Sequence, residues 1–139
     1  MDRLDKSRRS WNMGRIKGKN TVPEIQVRSL LHGLGFRFRL HNRALPGKPD
    51  IVLRRYATVI FVHGCFWHRH HNCKLCYTPK SNVEFWREKF NRNVERDRKS
   101  YAELKKAGWR VIVVWECELS DIQRLSTRLR RLMNHQKSE

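Results

Sequence analysis

Apolar residues recur along this chain with two different periods. Val27, Leu30, Leu31 and Leu34 step by three or four, as on one face of a helix. Thr21 can cap that helix, Pro23 suits its first turn, and Glu24 stands at the third position of a capping box. Gly33 and Gly35 mark its exit. Phe36, Phe38 and Leu40 then alternate with Arg37 and Arg39, which predicts a half-buried strand with a basic outer face. After the turn Leu45-Pro46-Gly47-Lys48-Pro49, Asp50 opens a short apolar strand, Ile51-Val52-Leu53. Arg54-Arg55-Tyr56 turns the chain, and the run from Ala57 to Val62 returns as its antiparallel partner.

A polar loop from Lys74 to Asn82 precedes a long helix predicted over 83–107. Val83, Trp86, Phe90, Val94, Tyr101 and Leu104 share its apolar face, and Gly108 stops it. Trp109 to Trp115 is a further apolar strand, and a basic helix over 121–133 follows. A strand, a helical crossover and a second strand form a right-handed unit with parallel strands. The expected architecture is therefore α/β, with helices flanking a mixed central sheet. Residues 1–20 have almost no apolar periodicity but seven Lys/Arg; they read either as a solvated tail or as a basic arm that orders on a phosphate backbone. Residues 21–139 read as a single domain.

Charge changes the picture. Lys and Arg number 31 against 13 Asp and Glu, a formal charge of +18. Such an excess suits nucleic acid, an anionic membrane or an acidic protein. No apolar run reaches the roughly 20 residues of a membrane span, no signal-peptide core follows the N-terminus, and the charge is not confined to one amphipathic helix. Nucleic acid is the partner the composition favours. A reducing compartment then makes the four cysteines thiols or metal ligands rather than disulfides.

Phe61-Val62-His63-Gly64-Cys65-Phe66-Trp67-His68-Arg69-His70-His71-Asn72-Cys73 concentrates the candidate chemistry at a strand end, where Gly64 frees the backbone to turn. Cys73 and Cys76 have the spacing of half a zinc site. Cys65, Cys117, His68, His70 and His71 compete for the remaining places. Asp50, a backbone carbonyl near Val62 and waters can hold Mg²⁺, a cation that prefers oxygen. Phosphodiester cleavage needs such a cation and a base, a role to which the imidazole side chain suits His63 and His68 as candidates. Phe66, Trp67 and Trp86 can stack on bases or wedge into a duplex step; for Trp86, whose spacing also fits the helix's apolar face, core packing competes with that role.

Several blocks carry a closer likeness: Leu45 to Asp50, Val59 to His68, Glu84-Phe85-Trp86, Asn93-Val94-Glu95-Arg96-Asp97-Arg98, and Gly108 to Cys117. In order and spacing they resemble the very short patch repair endonuclease family. The resemblance implies a bacterial, cytoplasmic, Mg²⁺-dependent enzyme with a restriction-endonuclease-like fold. It would nick one strand 5′ to the thymine of a T·G mismatch left by deamination of 5-methylcytosine, working as a monomer alongside a DNA cytosine-5 methyltransferase and downstream repair proteins. By position, Asp50 and the Val62 carbonyl would bind Mg²⁺, and Glu24, His63 and His68 would complete the active site, with His68 favoured as base. Phe66, Trp67 and Trp86 would wedge from the major groove, and Met13, on the N-terminal arm, would approach from the minor groove.

Structural Zn²⁺ would be held by Cys65, a histidine, Cys73 and Cys117. Counting from Cys65 selects His70 and counting back from Cys73 selects His71; His70 is favoured, with His71 or Cys76 as fallback. Val62 stands where Thr is familiar, so only its backbone oxygen can serve as a ligand. A non-catalytic zinc-stabilised DNA-binding module and a related nickase with another target are the competing readings.

Overall fold

The computed structural model describes residues 21–136. The expected N-terminal arm and Met13 lie outside the described residues. Helix α1 (Val22–Gly33) leads to β1 (Arg39–Leu40), β2 (Ile51–Leu53) and β3 (Thr58–His63). Helix α2 (Val83–Lys106), β4 (Arg110–Trp115) and α3 (Ile122–Gln136) follow. The strands lie in the order β1-β2-β3-β4; the first three are antiparallel and β4 runs parallel to β3.

The period-2 alternation of the strands divides the core into two layers. Ile51, Leu53, Ile60, Ile112 and Val114 face one way and pack with Val27 and Leu31 of α1 and Leu125, Leu129 and Met133 of α3. Val52, Val59 and Phe61 face the other way and meet Leu104 of α2, with Tyr101, Val111 and Val113 around them. The sheet is thus covered on both faces, as a strand with a parallel neighbour requires. Helix α3 presents its buried residues at steps of four, and Asp121 caps it by accepting a hydrogen bond from the Arg124 N–H at 3.1 Å.

Two expectations need correction. The strand expected over Phe36–Leu40 contains only Arg39 and Leu40, both exposed. Those residues pair with Val52 and Ile51, and the chain beyond Leu53 turns into a 3-10 segment, so earlier residues have no partner to extend the ladder. Phe36 and Phe38 instead pack on the core from the side. Val83 begins α2 in solvent rather than on its buried face, which is carried by Phe90, Ser100 and Leu104.

Glycine is needed in the loop before Asp50. Gly47 has φ +74°, and a Cβ there would lie 2.7 Å from Ser100 Cβ. Only a residue without a side chain lets this loop close on α2. Pairing of Ile51 with Ile60 and of His63 with Trp115 brings the start of β2 and the ends of β3 and β4 to one edge of the sheet.

Candidate active site and metal centre

At that edge the Val62 N–H donates to Asp50 Oδ2 at 2.7 Å. Helix α1 delivers Glu24 to the same place. Its backbone N–H is capped by Thr21 Oγ1 at 3.4 Å, while its carboxylate accepts from Arg28 at 2.9 Å and meets His41 Nε2 at 2.9 Å. Glu24 therefore has the cap position expected of it but turns its side chain into the site, where it is buried. Burial, with the Glu24 carboxylate adding to it, raises Asp50 from the ordinary carboxylate range to about 6 against the opposing pull of the Val62 hydrogen bond. The donor atoms of Glu24, His41 and Asp50 lie within 4.8 Å of one another. A buried carboxylate that resists ionisation beside a second carboxylate is a fitting place for a divalent cation, which removes the repulsion.

Beside Asp50 stand the two histidines of β3 and its loop. The rings of His63 and His68 stack at 3.7 Å with their planes 8° apart. His68 Nδ1 meets Asp97 Oδ2 at 2.6 Å, so Asp97 orients that ring and leaves its Nε2 as the other functional nitrogen. His63 is buried, and desolvation lowers it to about 3, with the neighbouring His68 acting in the same direction. Its Nε2 lies 2.6 Å from the Tyr101 hydroxyl.

The sequence reading missed His41, Asp97 and Tyr101 as site residues. Asp97 carried a signal, since it sits in the Asn93–Arg98 block, but nothing in its spacing pairs it with His68. His41 holds a left-handed backbone, φ 47°, and its N–H bonds the Asp50 carbonyl at 3.1 Å. Such a conformation in a non-glycine residue costs on the order of 1 kcal/mol and has no sequence signature.

The second cluster forms on the far side of the loop. Cys65, His70, Cys73 and Cys117 bring their ligand atoms within 4.8 Å of one another. His70 Nδ1 lies 3.5 Å from Cys65 Sγ and 3.4 Å from Cys117 Sγ. Tetrahedral zinc with ordinary bond lengths separates nitrogen and sulfur ligands by about 3.6 Å, so this donor set fits the ion. Burial pushes the Cys65 thiol up to about 12, and a backbone hydrogen bond at Leu75 lowers Cys73. A buried thiol that ionises reluctantly alone is stabilised as thiolate by a bound cation. His70 belongs to this cluster, whereas His71 is exposed and lies outside it, as does Cys76. The cluster is held by the Cys65 N–H donating to Glu116 Oε1 at 2.9 Å and by the His70 ring stacking on Trp115 at 4.2 Å.

The same loop carries Phe66 and Trp67, which meet Trp86 from the first turn of α2. Phe66 lies 5.0 Å from Trp67 and 5.9 Å from Trp86, and Trp67 lies 5.8 Å from Trp86. All three are half-buried rather than free in solvent, because they pack on one another and Phe66 lies edge-on to Phe90. Arg69 ties this group together. Its guanidinium sits 3.9 Å over Phe90 and donates to the Tyr77 carbonyl at 2.8 Å and to Thr78 Oγ1 at 3.1 Å. No helix among the described residues is long and apolar enough to cross a membrane.

Comparison with known proteins accords with this arrangement. Residues 1–75 match the family model for DNA mismatch endonuclease Vsr. The chain is 50% identical to the type II nicking enzyme V.XorIIP of Xanthomonas oryzae pv. oryzae, covering 96% of this chain and 97% of that protein. It is 48% identical to the DNA mismatch endonuclease Vsr of Escherichia coli, covering 88% of this chain and 78% of that protein. The catalytic domain of the homing endonuclease I-Bth0305I superposes with a TM-score of 0.61 at 20% identity, covering 86% of this chain and all of that domain. The likeness in shape identifies the fold, a restriction-endonuclease-like mixed sheet flanked by helices. Being 48% identical to a mismatch endonuclease over 122 residues and matched by the family model over more than half of its length, this chain belongs to the Vsr family of DNA endonucleases.

Proposed function

We propose that this protein nicks one strand of duplex DNA 5′ to the thymine of a T·G mismatch, with Mg²⁺ as cofactor. The observation that carries this reading is the convergence, at one sheet edge, of Asp50 and Glu24 with the His63–His68 pair, next to a loop whose Phe66 and Trp67 pack with Trp86 of α2. The names of its relatives, a mismatch endonuclease and type II nicking enzymes, support it.

Asp50 would hold the cation with the Val62 carbonyl, and Glu24 would stand beside them. A bound Mg²⁺ supplies positive charge at the phosphodiester as negative charge develops there. His68, oriented by Asp97 through Nδ1, offers Nε2 to take a proton from the attacking water. His63 stacks against it in a water-poor setting and keeps the ring in place. Phe66, Trp67 and Trp86 enter the duplex beside the mismatch from the major groove. Unstacking a step costs a few kcal/mol, and less where pairing is already weak, so wedging itself favours a T·G wobble. Residues 1–20, with Met13, act as an arm that orders on DNA and reaches the minor groove, while residues 21–139 form the catalytic domain. Zn²⁺ at Cys65, His70, Cys73 and Cys117 keeps the loop that carries both wedge and histidines in register with the end of β4.

The substrate arises when 5-methylcytosine deaminates, which links the protein to a cytosine-5 methyltransferase and to the repair proteins that resynthesise the strand. An asymmetric nick suits a monomer, and the chemistry belongs in the bacterial cytoplasm. The test is cleavage of strand-labelled T·G, T·A and C·G duplexes with Mg²⁺. Wild type should nick the thymine strand of T·G alone, and Asp50→Ala should bind without nicking. Equal nicking of all three duplexes would favour a nickase with another target.

A further inference from the structure

Two histidines face one active site, and the structure differentiates their ring nitrogens. His68 presents Nδ1 to Asp97 at 2.6 Å, an acceptor that fixes the ring proton on that nitrogen. The partner of His63 is of another kind. Its Nε2 meets the hydroxyl of Tyr101, also at 2.6 Å, and a phenol can donate as well as accept. His63 Nε2 is the hydrogen-bond partner of the Tyr101 hydroxyl, while the Asp97 carboxylate stands 3.9 Å from the same nitrogen, beyond hydrogen-bond reach. Burial beside Asp97 and Asp50 keeps the phenol protonated, well above its ordinary range. The ring of Tyr101 is itself fixed, edge-on to Phe61 at 5.3 Å, on the face of α2 that covers the sheet. One turn earlier on that helix, Asp97 serves His68. The two partners therefore lie four residues apart on one helix, and the two histidines five apart, at the end of β3 and in the loop after it.

We propose that Tyr101 is a positioning residue that occupies His63 Nε2 and fixes His63 as the Nδ1–H tautomer, a hydrogen-bond donor, leaving His68 as the histidine with a ring nitrogen free to accept a proton. The inference rests on the nicking activity proposed above and divides the labour of its two histidines. His63 then contributes an N–H to the site through Nδ1, and His68 accepts through Nε2. Asp97 and Tyr101 hold both rings in the Nδ1–H tautomer but engage opposite nitrogens, Nδ1 of His68 and Nε2 of His63. The 3.7 Å stack transmits any loss of order in the inner ring to the outer one.

The test is Tyr101→Phe, which retains the ring and its packing on Phe61 and removes only the hydroxyl. Two-bond ¹⁵N spectra of the DNA-free, full-length protein report the His63 tautomer without reference to any reaction. The wild type should show His63 protonated at Nδ1, and the variant a mixture or the Nε2–H form. Kinetics are then measured on whichever duplex the wild type nicks fastest. The variant should lose at least tenfold in kcat with KM within twofold, and a His68→Gln variant should lose far more. An unchanged tautomer in the variant overturns the proposal whatever the kinetics. A shifted tautomer with kcat within twofold of wild type overturns the positioning role. Absence of T·G preference in the wild type would defeat the mismatch reading alone, since the spectra still decide the tautomer.

Discussion

Replacing Asp50 by Asn should inactivate the enzyme and stabilise the metal-free fold at the same time. Burial and the nearby Glu24 raise the Asp50 carboxyl from 3.8 to about 6. A pKa raised in the folded state means that ionised Asp50 disfavours folding. The penalty is absent below pH 3.8, where both states are protonated, grows through the window from 3.8 to 6, and is complete above 6. A shift of about 2 units at 1.36 kcal/mol each gives an upper value near 3 kcal/mol, and partial solvent access at the site reduces it to about 1–3 kcal/mol. Asn is uncharged at every pH, and its Oδ1 can still accept the Val62 N–H. Urea unfolding in buffer without added Mg²⁺, with zinc retained, should therefore show the two proteins equal near pH 4 and the variant ahead by about 1–3 kcal/mol at pH 8. Mg²⁺ at ten times its dissociation constant should return about 1.4 kcal/mol to the wild type and none to the variant. A variant that is no more stable than wild type at pH 8, or whose advantage does not grow between pH 4 and 6, would refute the electrostatic account of Asp50.

The other expectations concern the loop and the surface. One zinc per chain should be found by elemental analysis of freshly purified protein. Cys117→Ala should release it and unfold the loop, because structural zinc contributes about 10–16 kcal/mol of apparent binding energy, on the scale of a whole domain's stability; a metal-free wild type that remains active would contradict this. Arg69→Ala removes the guanidinium from Phe90 and from the Tyr77 carbonyl and Thr78 hydroxyl, and it should reduce the preference for T·G over T·A by about tenfold or more. Fluorescence of 2-aminopurine beside the mismatch would show whether the wedge still unstacks it, and an unchanged signal with unchanged preference would sink that assignment. Leu129→Ala, at a fully buried position of α3 that carries no candidate site residue, should cost about 2–5 kcal/mol of stability in a denaturant titration while leaving kcat near wild type.

Periodicity made the framework legible. The hairpin of β2 and β3, the parallel return through α2 to β4, and the helical stripe of α1 all follow from spacings of two and of three to four. Spacing left more candidate ligands than places, and only the resemblance pointed to Cys65, a histidine, Cys73 and Cys117, the set whose ligand atoms come together. His70 was favoured over His71 by counting from Cys65, but the turn in which the His70 N–H bonds the Cys65 carbonyl, which brings it to the cluster, has no sequence signature. Pairings across long stretches of chain left no local signal. Asp97 with His68 spans 29 positions and His41 with Glu24 spans 17. Alternation alone overstated β1, because a strand extends only as far as its partner, and β2 ends at Leu53. Trp86 matched both a core position and a wedge; the structure gives it a half-buried place among other aromatics, intermediate between the two.

The central claim is that chemistry at Asp50 and the histidine pair is directed to the thymine of a T·G mismatch. Single-turnover nicking of a strand-labelled T·G duplex library with randomised flanks, against its T·A counterpart and with Mg²⁺, tests it most directly. The expected result is a single nick 5′ to the mismatched thymine, at a rate at least tenfold above the matched duplex, a difference of about 1.4 kcal/mol in barrier. Nicking that ignores the mismatch in every flank, or binding of T·G DNA with no nick under any divalent cation, would contradict it.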